Sequence, residues 1–94
     1  MKKTIWKFNL KATDTQTIEM PAGAVVLTVQ VQNGTPCLWA MVDPEESASK
    51  RIFKTFGTGH QIDNSRNVPL LFVGTYQLLD GNLVFHVFEC VEVL

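Results

Sequence analysis

Apolar and polar residues alternate in short runs along most of this chain, most clearly in VVLTVQVQNGTPCLWAMVD at 25–43. Val25, Leu27, Val29 and Val31 fall on one side of an extended backbone and Thr28, Gln30 and Gln32 on the other. That period of two predicts a strand with one buried face. Beyond Asn33-Gly34 a second run begins at Pro36, and its Leu38-Trp39-Ala40-Met41-Val42 is apolar on both faces. Asn and Gly both tolerate positive φ, so the pair between two such runs predicts a tight turn joining antiparallel strands.

The same pattern extends outward. Trp6, Phe8 and Leu10 alternate with Lys7 and Asn9, and Ile18 and Met20 with Thr17 and Glu19, until Pro21-Ala22-Gly23 ends the segment. Asp43-Pro44-Glu45-Glu46-Ser47-Ala48-Ser49 predicts a solvated loop in which Asp43 and Pro44 suit the cap and first position of a helical turn. Alternation then resumes with Lys50, Ile52, Lys54 and Phe56 on one face and Arg51 and Phe53 on the other. Gly57-Thr58-Gly59-His60 breaks it, and 61–69 is a polar loop holding Asp63, Asn64, Ser65, Arg66 and Asn67. Two last runs, 70–79 and 83–90, flank Asp80-Gly81-Asn82, a second hairpin signal, and Gly74 predicts a bulge. The reading is a single all-β domain over 1–94, a small antiparallel sandwich or barrel of about seven short strands.

Composition adds one expectation. A chain of 94 residues with 46% hydrophobic and 18% charged residues has more apolar surface than so small a core hides easily, which predicts a homo-oligomer; a sandwich with one face left apolar for a foreign partner would read the same. A net charge of −1 with scattered basic residues gives no cationic face, so general nucleic-acid binding is not expected. The opening Met1-Lys2-Lys3 is not followed by an apolar stretch, and no run approaches the roughly 18 residues of a membrane span. The expectation is a cytosolic protein, without membrane contact, whose Cys37 and Cys90 stay reduced.

Chemistry is sparse. Gly57-Thr58-Gly59-His60 suits an anion or nucleotide loop, because glycines let backbone amides approach a ligand while Thr58 and His60 offer side-chain hydrogen bonds. It reads equally as a glycine-rich turn with a surface histidine. His60, His86, Cys37 and Cys90 raise the question of zinc, but His86 and Cys90 on one strand would stand about 13 Å apart, so no metal is expected. Trp39 can stack on a planar ring and Gln77 or Gln30 can read its edge, although Trp39 also suits the core. Neither cysteine adjoins an assignable base, no serine lies in a nucleophile elbow, and Glu45-Glu46, Glu89 and Glu92 form no catalytic pair. No catalytic residue and no cofactor is assigned.

The segments TIWKF (4–8), IEMPAGA (18–24), VQVQNGTPCLWAMVDP (29–44), FGTGH (56–60), GTYQ (74–77) and LVFHVFE (83–89) resemble a family of small bacteriophage and prophage proteins whose domain has no known function. The likeness runs nearly end to end and is weakest over 63–71. It implies membership of that family and a phage setting, and carries over no catalytic residues. Other short phage proteins without catalytic motifs act as sponges for nucleotide signals of bacterial immunity. By that analogy the chain is expected to sequester a cyclic or ADP-ribose-type nucleotide, without turnover, in the cytoplasm of the infected host. Trp39, Arg51, Gly57, Thr58, Gly59, His60, Gln77 and His86 would surround its phosphorylated ring, in pockets between protomers. A structural or host-protein-binding module and a signal-degrading enzyme are the alternatives.

Overall fold

The structure is a computed structural model that describes residues 2–64 and 66–91. Met1, Ser65 and Glu92, each part of the sequence reading, lie outside the described residues. Seven strands follow one another: β1 (Thr4–Asn9), β2 (Thr15–Pro21), β3 (Val25–Gln32), β4 (Thr35–Val42), β5 (Ala48–Gly57), β6 (Leu70–Leu78) and β7 (Leu83–Cys90). They form two antiparallel sheets, one in the order β1-β4-β3 and the other β2-β5-β7-β6. The architecture is therefore a sandwich and not a closed barrel. The described residues contain no helix, hence none long and apolar enough to cross a membrane.

Both hairpin signals form turns. Asn33 (φ 51°) and Gly34 (φ 79°) join β3 to β4 with the paired positive φ values of a type I′ turn. The β6–β7 connection adds Leu79 (φ 52°) to Asp80 and Gly81, all left-handed, and Leu79 is 68% exposed. The stretch after β4 has no helical turn. Asp43 instead closes a tight turn, its Oδ1 accepting from the Glu45 amide at 3.1 Å and its carbonyl from the Glu46 amide at 3.1 Å. Ala48 and Ser49 already belong to β5.

Bulges decide which residues reach the core. In β3 the register slips between Val26 and Thr28. Val26 and Val29 consequently both face inward, while Val25 and Leu27 stand 46% exposed. This corrects the simple alternation, because an extra residue in one strand reverses the parity beyond it. In β6 the slip falls between Phe72 and Gly74, at the predicted bulge. These two edge strands approach each other between the sheets, and a Cβ on Gly74 would lie 3.3 Å from the Val29 backbone nitrogen.

Leu38, Ala40 and Val42 from one sheet and Phe53, Val87 and Tyr76 from the other build the centre of the core, with Met20 and Val29 beside them. Lys7 on β1 reaches Gln32 on β3 across the intervening β4, Nζ to Oε1 2.8 Å, helping to cover the outer side of β4 where Cys37 is buried.

Candidate functional site

One end of the four-stranded sheet gathers most of the polar residues singled out above. β5 ends at Gly57, where the His60 amide donates to the Gly57 carbonyl at 3.1 Å and Gly59 takes φ 85°. Positive φ at the third residue of a four-residue turn strongly favours glycine. Gly57 serves another purpose: it lets the His60 ring pack against the backbone, since a Cβ there would lie 2.7 Å from Cε1 of that ring. The turn is anchored to β7 by the Thr58 amide, which donates to the Val84 carbonyl at 3.2 Å.

His86 links this turn to the sheet. Its Nε2 lies 2.7 Å from Thr58 Oγ1 and its Nδ1 2.9 Å from Thr75 Oγ1. A hydroxyl both donates and accepts, so a neutral imidazole satisfies both nitrogens in either tautomer. Strand pairing sets Phe56, His86 and Thr75 side by side on the outer face, with Gln77 opposite Val84 one step further along. On the preceding row Lys54, Phe88 and Phe72 align. Phe88 meets Phe56 and Phe72 edge-on, at centroid distances of 5.8 and 5.4 Å. A cleft of about 280 Å³ between Asp14, Lys54, Phe56, His60 and Gln61 adjoins the turn.

Gly57, Thr58, Gly59, His60, Gln77 and His86 thus lie at one end of the sheet, the His60 ring against Gly57 and the Thr58 hydroxyl against His86. Trp39 is not among them: it lies half-buried on β4, in the other sheet. Arg51 is on β5 but faces inward, six residues before Gly57, roughly 20 Å away at the rise of a strand. All three of its nitrogen positions are engaged: Nε and Nη2 with the Glu89 carboxylate, the latter at 2.9 Å, and Nη1 with the Ala24 carbonyl at 2.7 Å. The Glu89 hydrogen bond raises the Arg51 pKa against the opposing effect of burial, so the guanidinium stays charged.

Thr75 and Phe72 are the neighbours that sequence reasoning missed. Three positions apart, they fall on opposite faces of a regular strand, and only the bulge at Gly74 brings both outward. Phe56 and Phe88 were visible as apolar residues, but nothing local distinguished an outward aromatic row from a core one.

Thr58 Oγ1 beside Nε2 has the spacing of a nucleophile and its base, yet Nδ1 meets a hydroxyl where hydrolases place a carboxylate. Glu89 is held on the inner face by Arg51. Among the described residues no three His, Cys, Asp or Glu side chains gather in a group able to hold a metal ion. His86 and Cys90 both lie on β7, and Cys37 and Cys90 are free thiols in different sheets. The corner offers hydrogen-bonding groups and a ring surface.

Fold and site together define a small all-β sandwich domain with an open polar and aromatic corner. The chain belongs to the family DUF7352, a domain of unknown function, whose model matches residues 1–93. No curated protein and no solved structure matches it.

Proposed function

We propose that this protein is a binding module that captures a nucleotide-type ligand without turnover at the corner built by Thr58, His60, Thr75, Gln77 and His86. The observation that carries the reading is the pair of hydrogen bonds holding His86 between Thr58 and Thr75, which fixes the glycine-rich turn against the sheet. Pre-positioned polar groups bind without the ordering cost of flexible ones. The Gly59 backbone approaches a ligand without side-chain obstruction, Lys54 beside the His60 cleft supplies a cation for a phosphate, and the His60 ring offers a stacking surface. The biological role is read by analogy with other short phage proteins: sequestration of a cyclic or ADP-ribose-type immune signal in an infected host cell.

The test is to incubate the protein with cyclic dinucleotides and ADP-ribose derivatives, separate bound from free ligand, and release the bound fraction by heat. Depletion followed by recovery of intact ligand is the expected result. Recovery of an altered ligand identifies an enzyme, and absence of depletion redirects the function to a protein partner.

A further inference from the structure

The outer face of an antiparallel sheet in a small monomer is ordinarily polar. Here the outer face of β5, β7 and β6 carries Ile52, Phe56, Leu70, Phe72 and Phe88, and Phe72 is 60% exposed. Lys54 stands among them, between Ile52 and Phe56 on β5, and the other polar residues lie around them: Thr15, Thr17, Glu19 and Lys50 on the β2 side, and His86 and Thr75 toward the corner. An apolar centre inside a polar rim is the anatomy of a protein interface.

The dimensions agree. A folded monomer of 10.5 kDa exposes about 5,400 Å² by the usual scaling with mass, whereas this chain exposes 6508 Å². It is a slab measuring 42 × 36 × 15 Å, with a radius of gyration of 13.8 Å against about 12.4 Å for a compact chain of this length. A broad face of 42 × 36 Å has room for the roughly 800 Å² that each partner buries in a standard interface.

We infer that a second copy of this chain covers this face, giving a two-fold dimer in which the four-stranded sheets pack against each other through the Phe56, Phe88 and Phe72 cluster. Phe88 lies on β7, between the strands carrying the other two rings, so an axis passing at Phe88 sets one aromatic cluster against the other. The outer face of the three-stranded sheet also exposes Ile5, Val25 and Leu27, but four polar residues, Lys7, Asn9, Thr28 and Gln30, divide its apolar surface, against the single Lys54 among the residues of the β5, β7 and β6 face. The inference does not rest on the ligand proposed above, although His86 and Thr75 share this outer face and would border the interface. It leaves the His60 cleft at the rim of the dimer.

Sedimentation equilibrium at high micromolar concentration should give twice the 10.5 kDa chain mass. Phe72→Lys, a change at an exposed edge-strand position, should halve it, while Ile5→Lys on the other sheet should leave it unchanged. A second readout needs no variant. Cys90 shares the outer face with Phe88, whereas Cys37 is buried, so thiol alkylation reports mainly on Cys90. Its rate should fall several-fold between dilute and concentrated protein. A monomeric mass at all concentrations, a dimer that survives Phe72→Lys, loss of the dimer in Ile5→Lys, or a concentration-independent Cys90 rate would each overturn the inference.

Discussion

Arg51 and Glu89 grip each other through two hydrogen bonds on the inner face of the four-stranded sheet, and the remaining arm of the guanidinium reaches the Ala24 carbonyl where the chain enters the other sheet. One side chain thus ties β5, β7 and the start of β3 together. Arg51→Ala and Glu89→Gln should each lower stability by about 2 kcal/mol, because either leaves a half-buried charged or polar group without its partner. Arg51→Lys should not restore the loss, since an ammonium lacks the planar fork. Urea denaturation checks all three, and ligand capture by folded Arg51→Ala should match wild type.

Gly74→Ala should cost about 1 to 3 kcal/mol. The added Cβ meets the Val29 backbone at 3.3 Å and its Cβ at 3.4 Å, and a main chain inside a packed sandwich yields less than a side-chain tip. Gly57→Ala makes the closer contact, 2.7 Å, but with the exposed His60 ring, which can swing away. That variant should keep wild-type stability and lose ligand affinity, separating packing from binding in one comparison of thermal melts and titrations.

These two glycines also mark what the sequence could and could not tell. Alternation located β1, β2, β3 and β5, each with one face that must be apolar, while apolar runs beside turn signals located β4, β6 and β7; Asn33-Gly34 located a turn because few residue pairs tolerate its backbone. The bulge at Gly74 was legible from the glycine alone, but the bulge beside Leu27 was not, so Val25 and Leu27 were assigned to the wrong face. Within the site, the Gly57-Thr58-Gly59-His60 turn stood out through its composition. Its partner Thr75 is an ordinary strand residue whose role depends on pairing with His86, a long-range relation that no local pattern encodes. Arg51 attracted notice as a free cation only because Glu89 stands 38 positions away.

Among the described residues the buried Tyr76 hydroxyl has no hydrogen-bond partner, and burial raises its pKa above the ordinary 10.0. Tyr76→Phe should keep the packing on Phe85 and gain about 1 kcal/mol by removing that unpaired group. With the folded pKa above the unfolded one, the stability tied to this residue is fully present below about pH 10 and declines as pH rises toward the folded value. Thermal melts across that alkaline range should fall for wild type and fall less for Tyr76→Phe.

Two turn positions should respond in opposite directions. Gly34→Val forces a β-branched residue to φ 79° and should cost 1 kcal/mol or more, whereas Leu79→Asn puts a left-hand-tolerant residue at φ 52° and should gain about 0.5 kcal/mol. Equal stabilities for both variants and wild type would remove the conformational argument.

The ligand corner is tested most directly by following the side-chain and backbone NMR signals of isotope-labelled protein while ADP-ribose or a cyclic dinucleotide is added. The account predicts saturable shifts concentrated at the His86 and His60 rings, the Thr58 and Thr75 methyls and the Gly59 amide, abolished by Thr58→Val. Shifts confined to Trp39 and its sheet, or no saturable shift with any such ligand, would contradict it.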